Sequence, residues 1–392
     1  MAFILKVKSG ERSFKAVCQS FGISRRTGYK WWQRYQAAGL EGLTERSHRP
    51  QGCPHASDPR WIERVVALRL RHPTWGPRKL RVKLAERHGT EALPAASTLG
   101  HQLKQRGLVR PRRRRGYRPV VVRRPLTQAD RPNRVWAVDF KGWFRTGDGV
   151  RCDPLTVSDL FSRYVLCCEV VGHQSYAAVR PVFERVFRHY GLPEIIRVDN
   201  GGPFASTGAG GLSRLSVWWL TLGVAPEFIA PGHPEQNGVH ERMHRTLKAD
   251  TTRPAAASAP AQQERFAAWR QEFNHERPHE ALQQQVPARH YRLSSRVYGR
   301  GTRPFIYPMD YVVRRVRSNG QIRWQGNKRY VSEALVGQLV GLRQIDNERW
   351  EVWFGSRLLG ELHAGESGGL RPAVSVPQTR KPKQKVLPIC PV

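Results

Sequence analysis

Three acidic residues next to apolar segments constrain this chain more than any other feature of its sequence. Asp139 lies in the apolar run Val135–Phe140, and Asp199 directly follows the run Ile195–Val198. Glu235 follows a Gly-His-Pro motif at the start of a predicted helix, and 35 residues separate it from Asp199. Acidic side chains on buried strands are costly unless they are paired or bound to metal. Three carboxylates meeting at one point would hold two divalent cations for phosphoryl-transfer chemistry.

The net charge of +35 is distributed unevenly along the chain. Residues 1–133 carry 30 Lys and Arg against 8 Asp and Glu, residues 134–285 carry 17 against 16, and residues 286–392 carry 19 against 7. A polyanionic partner is expected for so basic a protein. The pattern indicates two basic segments that hold nucleic acid and a nearly neutral centre that acts on it. The alternative is that the charge only keeps the protein soluble.

Several classes of protein are disfavoured by the sequence. No apolar run approaches the roughly 20 residues that span a membrane, and the apolar start at residues 1–6 is too short for a secretory signal. The six cysteines form no Cys-x-x-Cys pair, which argues against a structural zinc site or a disulfide framework. We therefore expect a cytoplasmic protein with no membrane partner.

Residues 1–52 predict a helix-turn-helix DNA-binding domain. Gly22 supplies a turn, and Ser24 is a favourable N-cap for the helix that follows. The polar side of that second helix carries the basic residues Arg25, Arg26 and Lys30. A basic second helix after a glycine turn is typical of motifs that enter the major groove. An ordinary helical hairpin is the alternative.

A second helical unit is predicted at 53–109, and we interpret it as DNA-binding, with a purely structural subdomain as the alternative. Its three helices are separated at Pro73–Pro77 and end at Gly107. Residues 110–133 lack a hydrophobic period and predict an extended basic linker. Such a linker would follow a phosphate backbone with the consecutive arginines Arg112, Arg113, Arg114 and Arg115.

Residues 134–300 predict an α/β core with a mixed sheet. The pattern is three strands, a helix, a strand, a helix, a strand and a long helix from about residue 234. Asp139 lies on the first strand and Asp199 ends the fourth. Ligand sites in such sheets gather outside the strand ends.

The predicted long helix carries a second signal. Arg242 lies seven residues after Glu235, close to two helical turns, which would place both on one face. A cation there would hold a phosphate near the metal ions, although a solvated surface charge is the alternative. Lys248 adds positive charge further along. Asn200 and Asn237 would orient water or DNA near the site, or serve only as turn residues.

These residues resemble the DDE signature of bacterial insertion-sequence transposases of the retroviral-integrase-like superfamily. The resemblance covers about residues 12–300 and rests on the spacing of the three acids and on four motifs in order: Trp136–Asp139, Val198–Gly201, Gly232–Gly238 and Phe273–His279. It implies a ribonuclease-H-like catalytic core and polynucleotidyl transfer at Asp139, Asp199 and Glu235. The implied cofactors are two Mg²⁺ ions, for which Mn²⁺ would substitute.

The resemblance also implies partners. They are double-stranded DNA at the element ends and at the target, within the bacterial nucleoid. One chain has one set of three acids, whereas two element ends must be joined to one target, so a homo-oligomer on DNA is expected. The rival hypotheses are a DNA-binding regulator that kept the helical arms and a hydrolytic nuclease of the same fold.

The sequence pattern changes in the C-terminal part of the chain. Residues 305–363 contain short alternating strands separated by turns such as Asn319-Gly320, which predict a small β-barrel. It resembles the SH3-like barrels that follow the core in many transposases and integrases. Residues 364–392 are rich in Gly, Pro and Lys and predict a disordered tail.

Overall fold

The structure is a computed structural model that describes residues 1–45, 57–109, 126–140, 142–230, 233–299, 301 and 304–372. The predicted DNA-binding residues Arg112–Arg115 therefore lie outside the described residues. The chain divides into two compact units, Met1–Asp58 and Pro59–Val392. Among the described helices, none has both the length and the apolar character needed to cross a membrane.

The described part of the first unit contains the α-helices α1 (Ala2–Lys8), α2 (Phe14–Ser20) and α3 (Arg25–Ala38). Gly22 adopts a positive φ of 65° between α2 and α3, a conformation that glycine reaches without steric cost. The Ser24 hydroxyl caps α3 by accepting the Thr27 backbone N–H at 3.1 Å. The predicted turn and cap are both observed, and they set the angle between the two helices of the motif.

The helices of this unit meet at Gly28, which is buried in α3. A Cβ atom at this position would lie 2.5 Å from Cys18 Sγ and 3.2 Å from atoms of both Phe3 and Phe14. Because the site has no room for a side chain, close approach of α1 and α2 to α3 requires glycine here.

We expect Gly28→Leu to lower the free energy of unfolding of the first unit by about 2 kcal/mol or more, because overpacking forces the three helices apart. Gln33→Leu, at an exposed position of the same helix, is the matched control. Hydrogen exchange of α1–α3 in the full chain measures the effect. Equal protection in the two variants would show that Gly28 is not a packing constraint.

The second unit begins with three helices, α4 (Pro59–Arg71), α5 (Pro77–His88) and α6 (Ala96–Gln105). Pro77 occupies the first turn of α5, as predicted, where its missing N–H has no helical partner to lose. The helices share an apolar core formed by Trp61, Val65, Leu68, Trp75, Leu80, Leu84, Leu93, Leu99 and Leu103. We call residues 59–109 the helical unit.

The catalytic-core segment is built on a mixed sheet. Its strands are β1 (Val135–Phe140), β2 (Phe144–Arg145), β3 (Arg151–Asp159), β4 (Val165–Val171), β5 (Ile195–Val198) and β6 (Ala225–Phe228). β3 pairs antiparallel with β1, β2 and β4, whereas β1, β5 and β6 are parallel neighbours. The α/β core is thus observed, and the parallel strands β1 and β5 end at the same edge.

Helices cover both faces of this sheet. One face packs against α7 (Tyr176–Tyr190) and α8 (Arg214–Thr221) through an apolar core that includes Trp136 and Val138. The other face packs against α9 (Gly238–Thr251) and α10 (Ala259–His275). The predicted long helix from about 234 therefore begins later, because Pro234–Asn237 forms a 3₁₀ turn before α9.

The C-terminal segment forms a four-stranded antiparallel sheet and a separate two-stranded hairpin. The strands are β7 (Tyr311–Arg315), β8 (Gln321–Trp324), β9 (Asn327–Tyr330), β10 (Leu339–Gln344), β11 (Arg349–Phe354) and β12 (Arg357–His363). The sheet order is β12-β11-β10-β7, and β8 pairs with β9. Within the described residues no strand pairing closes these sheets, so the SH3-like barrel at 305–363 stays a prediction.

Two predicted irregular segments are ordered where they are described. Thr127 of the predicted linker 110–133 donates its N–H to Glu227 at 2.8 Å, and Asn133 donates its own to Asp159 at 2.8 Å. The predicted disordered tail 364–392 is wrong for its first residues, because Arg371 pairs with Glu361 of β12. Despite its composition, this stretch is held in place by backbone hydrogen bonds to the sheet. Residues 373–392 lie outside the described residues.

Candidate functional site

Asp139 and Asp199 lie side by side at the carboxyl ends of two parallel strands. The register of β1 and β5 pairs Ala137 with Arg197, and each aspartate lies two residues further along its strand. Neighbouring strands are about 4.8 Å apart and alternate residues share a face. Val135 and Ala137 pack against Val239 in the first turn of α9. Both aspartates therefore belong to the sheet face that α9 and α10 cover.

The backbone after Asp199 holds this carboxylate in place. Asp199 Oδ1 accepts the backbone N–H of Gly201 at 3.2 Å. A Cβ atom on Gly201 would lie 3.1 Å from Asp199 Oδ2, so glycine keeps the carboxylate uncrowded. Asn200, predicted to act near the site, donates its side-chain N–H to the Ile229 carbonyl at 2.6 Å. That bond ties the end of β5 to the segment after β6, which is the turn-residue role considered as the alternative.

A buried hydrogen-bond network attaches α9 to the sheet beside Asp139. Thr156 is the cross-strand partner of Asp139, and its hydroxyl donates to the Asp139 carbonyl oxygen at 3.0 Å. The same hydroxyl oxygen lies 2.7 Å from His240 Nε2 and 2.6 Å from His244 Nε2. A hydroxyl has one hydrogen. Since Thr156 gives it to the carbonyl, both imidazoles donate from Nε2.

The second nitrogen of each imidazole completes the network. His240 Nδ1 lies 2.8 Å from the Ser158 hydroxyl, and burial lowers the pKa of His240 to about 3, which keeps this ring neutral. His244 Nδ1 lies 3.7 Å from Asp139 Oδ2. The network therefore fixes the rotation of α9 about its own axis and turns the His244 side of the helix toward Asp139.

The rotation of α9 decides which of its charged residues face the aspartates. Residues three and four apart share a side of a helix, so Glu241 and Lys248 lie on the His244 side. Both are exposed. Arg242 lies about 160° away from His244 at 3.6 residues per turn. Its Nε donates to the Gly238 carbonyl at 3.2 Å.

A pKa shift gives an independent indication of where Arg242 points. The pKa of the Arg163 guanidinium is lowered, first by its burial and then by the positive charge of Arg242. Arg163 follows β3, whose last residue Asp159 pairs with Trp136 near the start of β1. The positive charge of Arg242 is therefore close enough to Arg163 to act on it, in agreement with a position away from the His244 side of α9.

The predicted third acid, Glu235, lies in the 3₁₀ turn Pro234–Asn237, and its side chain lies outside the described part of the structure. The predicted shared face with Arg242 assumed a continuous α-helix, which begins only at Gly238. Asn237 is buried, and its amide oxygen has no hydrogen-bond partner among the described residues. In that same part of the chain, no three His, Cys, Asp or Glu side chains gather closely enough to hold a metal ion.

The predicted groove-reading residues of the first unit are accessible. Arg25, Arg26 and Lys30 are all exposed on α3, and none of them belongs to the packing around Gly28. The first unit thus presents a basic helix surface, as expected for a DNA-binding helix.

The site contains residues that the sequence interpretation missed. These are Thr156, His244 and Glu241. Glu241 lies on the same side of α9 as Lys248, which the sequence predicted as added positive charge near the site, and the two form a charged pair. The pair repeats the seven-residue spacing first noticed for Glu235 and Arg242, and that spacing was the available signal. Spacing alone does not reveal which face of a helix meets the sheet.

We expect Thr156→Val to lower the free energy of unfolding of the core by about 2–4 kcal/mol, because it leaves two buried imidazole N–H groups without an acceptor. Thr156→Ser keeps the hydroxyl and is the matched control. Thermal unfolding followed by circular dichroism compares them. If valine and serine melt alike, the network does not hold α9.

Comparison with known families agrees with this architecture. Two families described as integrase core domains match residues 129–234 and 222–287. A helix-turn-helix domain family matches residues 1–51, and a homeodomain-like domain family matches residues 27–103. The matched families thus place DNA-binding domains ahead of an integrase core.

Two of the proteins with similar sequences are insertion-element proteins. The "Insertion element IS407 uncharacterized 31.7 kDa protein" of Burkholderia multivorans is 29% identical over 260 residues, covering 64% of this chain and 88% of the relative. The "Insertion element IS476 uncharacterized 39.2 kDa protein" of Xanthomonas euvesicatoria is 26% identical, covering 64% and 70%.

Solved structures give weaker similarity. The catalytic core of BIV integrase has a TM-score of 0.32 and 18% identity, covering 41% of this chain and 93% of that one. A chain of the simian T-cell lymphotropic virus intasome has a TM-score of 0.36 and 14% identity, covering 75% and 97%. The sequence matches thus give this chain regions similar to helix-turn-helix and homeodomain-like domains, followed by regions similar to integrase core domains, and they relate it to insertion-element proteins.

Proposed function

We propose that this protein is a transposase that binds the ends of a mobile DNA element and catalyses metal-dependent strand cleavage and strand transfer. The observation that carries the proposal is the adjacent pair Asp139 and Asp199 at the carboxyl ends of β1 and β5. Two carboxylates on neighbouring strands of a ribonuclease-H-like core suit reactions at phosphate groups rather than recognition alone.

We propose that a glutamate near the start of α9 supplies the third carboxylate. Glu235 is the residue that the sequence predicts. Glu241 is the residue that the helix geometry favours, because it lies one turn before His244, whose Nδ1 is 3.7 Å from Asp139. The two candidates are six positions apart in the sequence, Glu235 in the 3₁₀ turn and Glu241 in the first turn of α9. The same geometry favours Lys248 over Arg242 as the cation that contacts a phosphate.

The donor set fits magnesium. Aspartate and glutamate oxygens are the ligands that Mg²⁺ prefers, and the unpartnered amide oxygen of Asn237 is a further acceptor at the start of α9. Asp139, Asp199 and the glutamate would hold two Mg²⁺ ions, which supply Lewis-acid activation and neutralise charge on the phosphate. Mn²⁺ offers the same chemistry.

The protein's own residues position the reacting DNA. The basic helix α3 and the helical unit would grip duplex DNA, and Lys248 would contact the phosphate next to the one that reacts. Water attack on a phosphodiester frees a 3′-hydroxyl at the element end. Attack by that hydroxyl on a target phosphodiester joins the two strands and releases the target's 3′-hydroxyl. The aspartates and the glutamate orient both attacks.

A working assembly needs at least two copies of the chain. Two element ends are joined to one target, and each chain offers one pair of adjacent aspartates. We therefore propose a homo-oligomer on DNA within the bacterial nucleoid. Inactive Asp199→Asn protein mixed with protein that lacks residues 1–58 would regain activity if one subunit holds DNA for the other.

The experiment that tests the function uses a supercoiled plasmid and labelled duplexes made from DNA that flanks the coding sequence, with Mg²⁺. Joined plasmid–duplex products are expected. Binding without cutting would identify a regulator, and cutting without joining would identify a nuclease.

A further inference from the structure

The helical unit is docked on the catalytic core through one end. His72, between α4 and α5, lies with its Nδ1 2.9 Å from Glu272 Oε1 of α10. Lys79 of α5 donates to the Pro278 carbonyl oxygen, just after α10. We call the contact region, residues 72–79 against 272–280, the joint. Its contacts are between parts of the chain about 200 residues apart, so they fix a tertiary arrangement.

Arg277 contacts both sides of this joint. It is only 9% exposed, and its guanidinium donates to the Thr74 hydroxyl of the helical unit at 3.2 Å. On the core side it lies 3.5 Å from the Thr246 hydroxyl and 3.8 Å from Asp250, both on α9. One side chain thus connects the helical unit to the helix beside the aspartates.

The cost of burying Arg277 indicates that its contacts matter. Burial lowers the pKa of Arg277, and burial raises the pKa of its partner Asp250. Asp250 is also held by the indole N–H of Trp269 at 3.1 Å. A buried arginine with a paired carboxylate contributes little net stability compared with an apolar side chain. What such a planar five-donor group provides is a fixed geometry between several partners.

The two sides of α9 have different partners. His244, Glu241 and Lys248 lie on the side toward Asp139. Thr246 and Asp250, two and six residues after His244, lie on the opposite side and meet Arg277. The same rigid helix therefore borders the aspartates on one side and the joint on the other.

The joint leaves the last helix of the helical unit accessible. His101, Lys104 and Arg106 are exposed on and just after α6, whereas the joint uses the turn between α4 and α5. DNA held on α6 would therefore keep a constant position relative to β1 and β5. The first unit, Met1–Asp58, is compact by itself.

We infer that Arg277 is a positioning residue that locks the helical unit on the catalytic core, so that duplex DNA held by this unit meets the carboxylates at a fixed phosphate. This inference rests on the proposed transposase function. It assigns a role to the Asn-His-Glu-Arg-Pro-His motif at 274–279, and it makes the helical unit part of the catalytic body rather than a tethered arm.

The test compares Arg277→Met with Arg270→Met in the full chain. Arg270 of α10 is the matched control, since it is an arginine seven residues before Arg277 that donates to the Leu166 carbonyl at 2.6 Å, a contact that lies within the core. Hydrogen exchange should show lost protection at residues 72–79 and 272–280 in Arg277→Met only. Cleavage of end-labelled duplexes should slow by about tenfold or more and spread to neighbouring phosphates, with the Kd for DNA within about threefold of wild type.

Thr74→Val tests the same point if Arg277→Met does not fold, because it removes a hydroxyl of the helical unit that contacts both Arg277 and Asp250 and leaves the core residues unchanged. It should broaden the cut positions while the core melts as wild type. Unchanged protection of the joint in the variants, or wild-type rate and cut position after protection is lost, would overturn the inference. If wild type cuts no DNA, the proposed function fails, and the exchange data still decide whether Arg277 holds the joint.

Discussion

Replacing Asp139 or Asp199 with asparagine is expected to abolish strand cleavage and strand transfer while leaving DNA binding within about twofold of wild type. Each change keeps the size of the side chain and removes the negative charge that metal binding needs. A lost carboxylate ligand removes several kcal/mol of transition-state stabilisation, which corresponds to about 10³-fold or more in rate. The helices that we propose to contact DNA lie in other segments, so affinity should be preserved.

The measurement is the plasmid-joining assay together with fluorescence anisotropy on the same duplexes. Asp310→Asn makes the same chemical change at an exposed carboxylate beside β7, and it should react as wild type does. Strand transfer retained by Asp199→Asn, in Mg²⁺ or Mn²⁺, would remove this aspartate from the site. Loss of DNA binding together with activity would instead indicate that the substitution unfolded the core.

The position of the two aspartates was predictable because it depends on local patterns. Apolar runs of four to six residues predict buried strands, and an acidic residue at the end of such a run is rarely there for packing. The Ser24 cap and the Gly22 turn were predictable for the same reason, since each depends on neighbours within three residues. Parallel pairing of β1 and β5 then follows from the α/β order.

The sequence did not reveal which face of α9 packs against the sheet, because that depends on contacts between residues distant in sequence. Thr156 precedes His244 by 88 residues, and only the fold shows that its hydroxyl receives two imidazole N–H groups. Pro234 is compatible with an α-helix or a 3₁₀ turn at its position, so the sequence leaves the first residue of α9 open. Because Pro234–Asn237 is a 3₁₀ turn and not part of α9, the seven-residue spacing of Glu235 and Arg242 does not place them on one helical face.

In the motif around Arg277, too, the local pattern was predictable and the distant contacts were not. Its residues were recognised as a family motif, yet their contacts with Thr74 and His72 belong to a joint between segments far apart in the chain. The C-terminal segment differs again, because alternation predicted its strands but not how they pair. The register between β7 and β10, rather than between consecutive strands, comes from tertiary packing.

Glu241→Gln is expected to abolish cleavage and joining, whereas Glu235→Gln should retain both within about threefold of wild type. Glu241 is on the side of α9 that the His240 and His244 hydrogen bonds turn toward Asp139. Glu235 precedes the helix and lies in a turn whose direction those bonds do not fix. The same argument extends to the cations: Lys248→Met should slow joining by about tenfold or more, and Arg242→Met should change it little.

A readout without DNA separates metal binding from substrate positioning. Millimolar Mg²⁺ or Mn²⁺ should raise the Tm of wild type and of Glu235→Gln, because a ligand that binds only the folded state stabilises it. Glu241→Gln should show a smaller rise. If Glu235→Gln is inactive while Glu241→Gln reacts normally, the 3₁₀ turn before α9 carries the third carboxylate, and the His244 side of the helix serves only to anchor α9 on the sheet.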